Sequence, residues 1–203
     1  MRKFILPIIL VFTLNNCFAQ ELKRINNSLK HGYTESYFVL KSDKRIKQGG
    51  YALVFYGDTV QRGFYTKNNK SGEWHYRFNK KIEFIYNHDL GKIVSDTIGK
   101  ARNAFYSEGT CYLSYLCSNN IKYPEKSAEN GKSGTVIVSF SVGVDGVTSD
   151  FDLVVGCGDL AINNEALRVV KILAIAHPWY PATNEKGEII RSTVKYPVKF
   201  ILS

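Results

Sequence analysis

Hydrophobic and polar positions alternate strictly from Gly134 to Val144, with Val136, Val138, Phe140, Val142 and Val144 on one face and Ser139, Ser141 and Gly143 on the other. A period of two over that length predicts a half-buried strand. Asp145-Gly146 follows, a dipeptide suited to a tight hairpin because both turn residues tolerate positive φ. Alternation resumes from Val147 to Val155 through Phe151 and Leu153. From about Asn163 the period becomes helical: Ala166, Val169, Val170 and Leu173 form an apolar stripe, with Glu165, Arg168 and Lys171 off it. His177-Pro178-Trp179-Tyr180-Pro181 ends that helix, since proline cannot continue it. Ile189 to Leu202 reads as a closing strand. Ahead of the hairpin, Tyr123-Pro124-Glu125-Lys126-Ser127-Ala128 predicts a short helix opened by Pro124 and ended at Gly131. Helix, hairpin, helix and strand make a small α+β module.

The N-terminal half follows a different pattern. Tyr37-Phe38-Val39-Leu40 reads as a strand and Lys41 to Gln48 as a polar turn. Gly50-Tyr51, Gly63-Phe64-Tyr65 and Gly72-Glu73-Trp74 repeat a glycine closely followed by an aromatic residue. Between them lie Leu53-Val54-Phe55-Tyr56 and the expected turns Gly57-Asp58 and Asn68-Asn69-Lys70-Ser71-Gly72; Tyr76, Phe78, Ile82, Phe84 and Tyr86 continue the series. Glycine permits a tight turn, and the aromatic that follows covers the neighbouring hairpin. These units resemble degenerate MORN-type repeats, short antiparallel hairpins in a row. Stacking is required, because one hairpin cannot bury its aromatic face alone. Such a ladder binds a glycan or a peptide, or packs between hairpins; the glycine spacing favours packing.

Composition supports a sheet-rich folded chain: 203 residues, 44% hydrophobic, with 13 Tyr and 12 Phe. Met1 to Ala19 reads as a signal peptide, with Arg2 and Lys3 before an apolar run from Phe4 to Leu14 and a Cys17-Phe18-Ala19 exit favouring cleavage before Gln20. The run is short of the roughly 20 residues a membrane helix needs. Lipidation at Cys17 is disfavoured by Asn16 before it. An exported chain is expected, in the periplasm or at the outer membrane. Removing Arg2 and Lys3 leaves 25 basic against 18 acidic residues, a net charge of +7. The basic residues are scattered, as at Lys41, Lys44, Arg45 and Lys47, then Lys80 and Lys81. That distribution and export argue against nucleic acid and for a solvated basic surface.

Three cysteines remain after Cys17 is removed, and export permits oxidation. Cys111–Cys117 closing a local loop is the simplest disulfide, with Cys157 free; alternatively one of the pair joins Cys157. No Cys-x-x-Cys occurs, and His31, His75, His88 and His177 are not spaced as metal ligands. The chain lacks Gly-x-Ser-x-Gly, His-Glu-x-x-His and a phosphate loop. Cys157, between Gly156 and Gly158, with His177 as partner, is the nearest approach to a nucleophile. A small residue in a turn explains it better. His88-Asp89 reads as a turn pair. No catalytic residue, cofactor, metal or small-molecule substrate is expected.

A second resemblance rests on an ordered set of residues: Tyr123-Pro124, Ala128, Gly131, Gly134-x-Val136-x-Val138-x-Phe140-x-Val142, Asp145-Gly146, Glu165-Ala166-x-Arg168-Val169-Val170, Pro178-Trp179 and Pro197-Val198-x-Phe200-x-Leu202. From about residue 120 to 203 the chain resembles the C-terminal domain of TonB-type energy transducers. The expected layout is a signal peptide over 1–19, hairpin repeats over 20–98, a joining segment over 99–119, and the TonB-like domain over 120–203. The resemblance implies a small sheet with helices on one face and a free edge. It also implies a non-enzymatic envelope protein whose partner is a protein, an outer-membrane TonB-dependent receptor adding an extended segment beside the last strand. Here that edge is Ile189, Ile190, Arg191, Ser192, Thr193, Val194 and Lys195. Arg191 and Lys195 are the charges edges use to discourage pairing, and Pro197 limits how far a guest extends. Trp179 and Tyr180 are further candidates for the site, although a tryptophan just after a helix is more often a core plug. The Pro-rich segment and membrane helix usual in such transducers are missing from the sequence. The alternative is an adaptor in which the hairpin repeats bind the partner and the TonB-like domain only docks it.

Overall fold

The computed structural model describes residues 21–96 and 101–202; the expected signal peptide lies outside them. The architecture is α+β. Seven strands run as an antiparallel meander in sequence order: β1 (Leu22–Ser28), β2 (Tyr33–Leu40), β3 (Lys47–Phe55), β4 (Asp58–Thr66), β5 (Asn69–Phe78), β6 (Lys81–Asn87) and β7 (Lys92–Asp96). Then come β8 (Phe105–Tyr106), α1 (Thr110–Asn120) and α2 (Glu125–Glu129). The hairpin β9 (Gly134–Val142) and β10 (Thr148–Val155) follows, then α3 (Leu160–Ala176). Last are β11 (Trp179–Tyr180), β12 (Ala182–Thr183), β13 (Ile189–Ile190) and β14 (Ser192–Phe200). Among the described residues no helix is long and apolar enough to cross a membrane.

Three hairpins of the meander share one two-residue geometry. Tyr56-Gly57, Lys67-Asn68 and Asn79-Lys80 each place both residues at positive φ, from 43° to 88°, which matches the right-handed twist of the flanking strands. The turns therefore fall one residue earlier than Gly57-Asp58, and Asn69 to Gly72 belong to β5. Gly50 and Gly63 lie inside strands rather than in turns. Between Arg62↔His75 and Phe64↔Ser71 the β4–β5 register shifts, so Gly72, Glu73 and Trp74 bulge opposite Gly63. A Cβ on Gly63 would stand 2.3 Å from the Trp74 ring. The bulge aims the indole across the one position without a side chain, and Trp74 Nε1 donates to the Phe64 carbonyl at 3.1 Å.

The C-terminal sheet has the order β10-β9-β14, all antiparallel. Val136, Val138, Phe140 and Val142 are fully buried against the α3 stripe of Ile162, Ala166, Val169, Val170, Leu173 and Ala174. Val144, Val147 and Val155 depart from expectation and are exposed, because the strands stop at Val142 and a bulge at Asp150 (φ 52°) resets β10. The turn is longer than a two-residue hairpin. Gly146 N–H donates to the Gly143 carbonyl at 3.0 Å, Gly143 N–H to the Val147 carbonyl at 2.8 Å, and of the Asp145-Gly146 pair only Gly146 has positive φ. A Cβ there would meet the Trp179 carbonyl oxygen at 2.3 Å. α3 begins three residues before the expected Asn163, because the Asp159 carboxylate caps it by accepting Ile162 N–H at 3.0 Å.

Residues 101–120, ahead of the C-terminal domain, are double-faced. From α1, Leu113 and Cys117 enter the core of the C-terminal domain, while Cys111, Tyr112 and Tyr115 pack on Tyr33, Leu53 and Val60 of the array. Arg168 holds the far end of α1, donating to the Asn120 carbonyl at 3.0 Å while pairing with Glu165. The expected Cys111–Cys117 disulfide is not made: both are free, as is Cys157. Six residues along one helix separate their Cα atoms by about 9 Å in rise alone, beyond disulfide reach. Cys157 and His177 also fail as a dyad, since they flank opposite ends of the 17-residue α3. His88 and Asp89 do lie in a turn, where Asn87 Oδ1 accepts Asp89 N–H at 3.0 Å.

Candidate functional site

The closing strand expected over Ile189 to Leu202 is two strands. Ile189 and Ile190 pair with Thr183 and Ala182, Arg191 turns aside to an ion pair with Asp150, and β14 then pairs with β9 from Ser192↔Val142 to Phe200↔Gly134. Parity along β14 follows from the hydrogen bonds of β9. Gly143 N–H points to β10, so the odd-numbered residues of β9 serve β10 and the even-numbered ones serve β14. Ser192, Val194, Tyr196, Val198 and Phe200 therefore turn their backbone groups toward β9. Thr193, Lys195, Pro197 and Lys199 turn theirs outward, where the sheet ends. Pro197 fits that assignment, because its missing N–H would have pointed away from the ladder.

Of the seven residues expected at the edge, the structure thus gives Thr193 and Lys195 outward-facing backbone. Ser192 and Val194 are committed to β9, Ile189 and Ile190 to β12, and Arg191 to Asp150. Lys199 extends the free edge beyond the expected stretch. Lys195 and Lys199 are exposed and make no ion pair among the described residues.

A cavity of about 370 Å³ runs beside this edge, lined by Val194 to Pro197 on one side. Its other walls come from elements that the edge alone did not foretell: Phe78 at the tip of the β5–β6 hairpin, Phe105 of β8, and Leu113 of α1, with Trp179 between them. Trp179 is a core plug as expected, buried with its Nε1 donating to the Ala174 carbonyl at 3.1 Å. Tyr180 instead packs away from the edge, against Phe84, Tyr86 and Phe105 of the aromatic stack. Phe78 is 42% exposed at the hairpin tip, with the cavity beneath it. Its position in the aromatic series was readable in sequence, but its approach to β14 depends on how the array docks.

That docking is polar as well as aromatic. Tyr76, Phe84 and Phe105 stack with ring centroids 4.3 and 4.2 Å apart. Tyr33 Oη donates to the Cys111 carbonyl at 2.9 Å, and Lys70 pairs with Glu108. Gly109, which precedes α1, offers no capping side chain; Glu83 of β6 takes that place, accepting Thr110 N–H at 3.0 Å. Burial pushes the Glu83 carboxyl above its ordinary range, against the opposing pull of the Thr110 bonds.

Comparison with known proteins finds matches over the C-terminal part. The family described as Gram-negative bacterial TonB protein C-terminal matches residues 119–202. Two solution structures of the Helicobacter pylori TonB C-terminal domain are similar. One is 25% identical, covering 45% of this chain and 78% of that one with a TM-score of 0.37. The other is 24% identical, covering 45% and 90% with a TM-score of 0.35. No curated protein matches the chain. The domain of residues 119–202 is TonB-like, and it is packed against an antiparallel strand array that the family match does not reach.

Proposed function

We propose that this chain is an exported, non-enzymatic protein of the cell envelope that binds another protein by strand addition at the outer edge of β14. The observation that carries the reading is the run Thr193 to Lys199. It has three outward N–H donors, outward carbonyls and an adjoining apolar cavity. An extended guest would gain main-chain hydrogen bonds from the edge and place alternate side chains over the cavity. Lys195 and Lys199 favour a guest with acidic residues. The partner on this reading is an outer-membrane TonB-dependent receptor, and the mature chain begins at Gln20. The strand array is MORN-like and sets the wall of the groove through Phe78.

The test is capture from envelope extract by the intact mature chain and by Lys195→Pro. That substitution removes an outward donor and leaves the β9 ladder whole. Transporters retained by the intact chain and lost by the variant support the reading; equal retention by both refutes it.

An adaptor role for the array has one observation in its favour. On the face away from the C-terminal domain, Phe64 is 61% exposed above a depression lined by Gly50, Ala52 and Gly63. On that reading residues 21–96 hold the partner and Phe64→Ser releases it.

A further inference from the structure

The inner face of the array changes character along its length. At one end Trp74, Tyr76 and Phe84 are fully buried in apolar packing. At the other, a cavity of about 260 Å³ opens between the first strands and the Glu108–Tyr115 segment, and its walls are aromatic and charged. This cavity is separate from the β14 edge.

Lys70 and Glu108 face each other within it, their side chains only 16% and 28% exposed. Gln61, 4% exposed, donates to the same Glu108 carboxylate at 3.1 Å. Burying a charge pair costs several kcal/mol per ion before the attraction is counted, and a tie to α1 already exists through Tyr33 and Glu83. Among the described residues Lys47 makes no ion pair with a carboxylate. Its Nζ lies over the rings of Tyr37, Tyr65 and Tyr51, at 4.5, 5.1 and 5.9 Å. Glu35 spends one oxygen on Asn27, at 2.9 Å.

The hydroxyls of Tyr51, Tyr65 and Tyr112 make no hydrogen bond among the described residues, although all three line the cavity. Burial first, and then the carboxylates of Glu35 and Glu108, hold all three phenols protonated, Tyr65 up to about 12. Unspent donors, unspent carboxylate oxygens and flat ring faces thus converge on one space. An anion would meet two carboxylates there, and a cation would meet two ammonium groups. A neutral ligand carrying closely spaced donors and acceptors, with one face of C–H groups, satisfies every wall. We propose that this cavity binds a single neutral sugar unit, its hydroxyls on Glu35, Glu108 and the tyrosine hydroxyls and its ring against a tyrosine face. The volume, just under the usual range for ligand sites, limits the fit to one ring.

The test uses the intact mature chain, titrated with the common hexoses, their N-acetylated 2-amino forms, and a trisaccharide of N-acetylglucosamine, read by calorimetry and thermal shift. At least one of these is expected to bind saturably. Glu35→Gln and Tyr65→Phe, which keep shape and packing, should each weaken binding about tenfold or more by leaving a buried group unpaired, with unliganded melting unchanged. Tighter binding of the trisaccharide than of its monomer assigns the site to a chain terminus; equal binding assigns it to free sugar. Failure of every probe at tens of millimolar overturns the proposal. So does binding that both variants retain in full.

Discussion

The Glu83 carboxylate, on the sixth strand of the array, accepts the backbone N–H of Thr110, 27 residues away, at 3.0 Å. One half of the chain thereby supplies the N-terminal cap of a helix whose buried side chains, Leu113 and Cys117, belong to the core of the other half. Removing a capping side chain costs about 0.5–2 kcal/mol. Glu83→Ala is expected to lose an amount in that range in chemical denaturation, with faster amide exchange concentrated in the first turn of α1. Loss spread evenly over the molecule would show that Glu83 is not a local cap.

The same carboxyl predicts a pH dependence. Burial raises its folded value, so the folded state keeps a proton over a range where the unfolded chain has released it. Stability contributed at this site therefore falls as pH rises from about 4.5 through the raised folded value. Glu83→Gln cannot titrate. Comparing the two proteins across that range should show the wild type losing stability relative to the variant as pH increases, and a parallel pair of curves would rule this out.

Gly63 and Trp74 make a second test. A methyl at Gly63 would stand 2.3 Å from the indole, and overpacking of this kind costs about 1–3 kcal/mol. Gly63→Ala should lower the melting temperature and shift the tryptophan emission to the red as the ring is displaced. An unchanged emission would mean that the bulge has slack.

The cysteines give a third. Burial pushes the Cys111 and Cys117 thiols up to about 11, so both should alkylate slowly in the native protein and fast once it is unfolded. The mature chain should keep its melting temperature under reductant. A reductant-sensitive melting point would reinstate a disulfide.

The C-terminal domain was largely legible in sequence because its rules are local. Period two gave Val136 to Val142, and the helical period gave Ala166 to Leu173. Where the reading slipped, a neighbouring element decided. Val144 and Val147 look like strand residues, but both fall in the five-residue turn between β9 and β10. The start of α3 had a visible signal, Asp159 three residues before Ile162, that the apolar stripe obscured. The array's strands were recognisable from their aromatic runs, but its glycines were read as turn residues, whereas Gly50 and Gly63 lie inside strands; only tertiary structure brings Trp74 over Gly63. Least legible was the groove. Phe78, Phe105 and Leu113 are far apart in sequence and meet only because Glu83 and Tyr33 dock the array on α1.

The most direct test of the account is amide hydrogen exchange along β14. It would be measured on the intact mature chain, with and without the N-terminal peptide of a transporter retained in the proposed capture experiment. Strand addition predicts new protection at Thr193, Lys195 and Lys199, no new protection at Ser192 or Val194, and loss of the effect in Lys195→Pro. Protection appearing around Phe64 on the outer face of the array, with the β14 amides unchanged, would contradict it and assign the binding to the array.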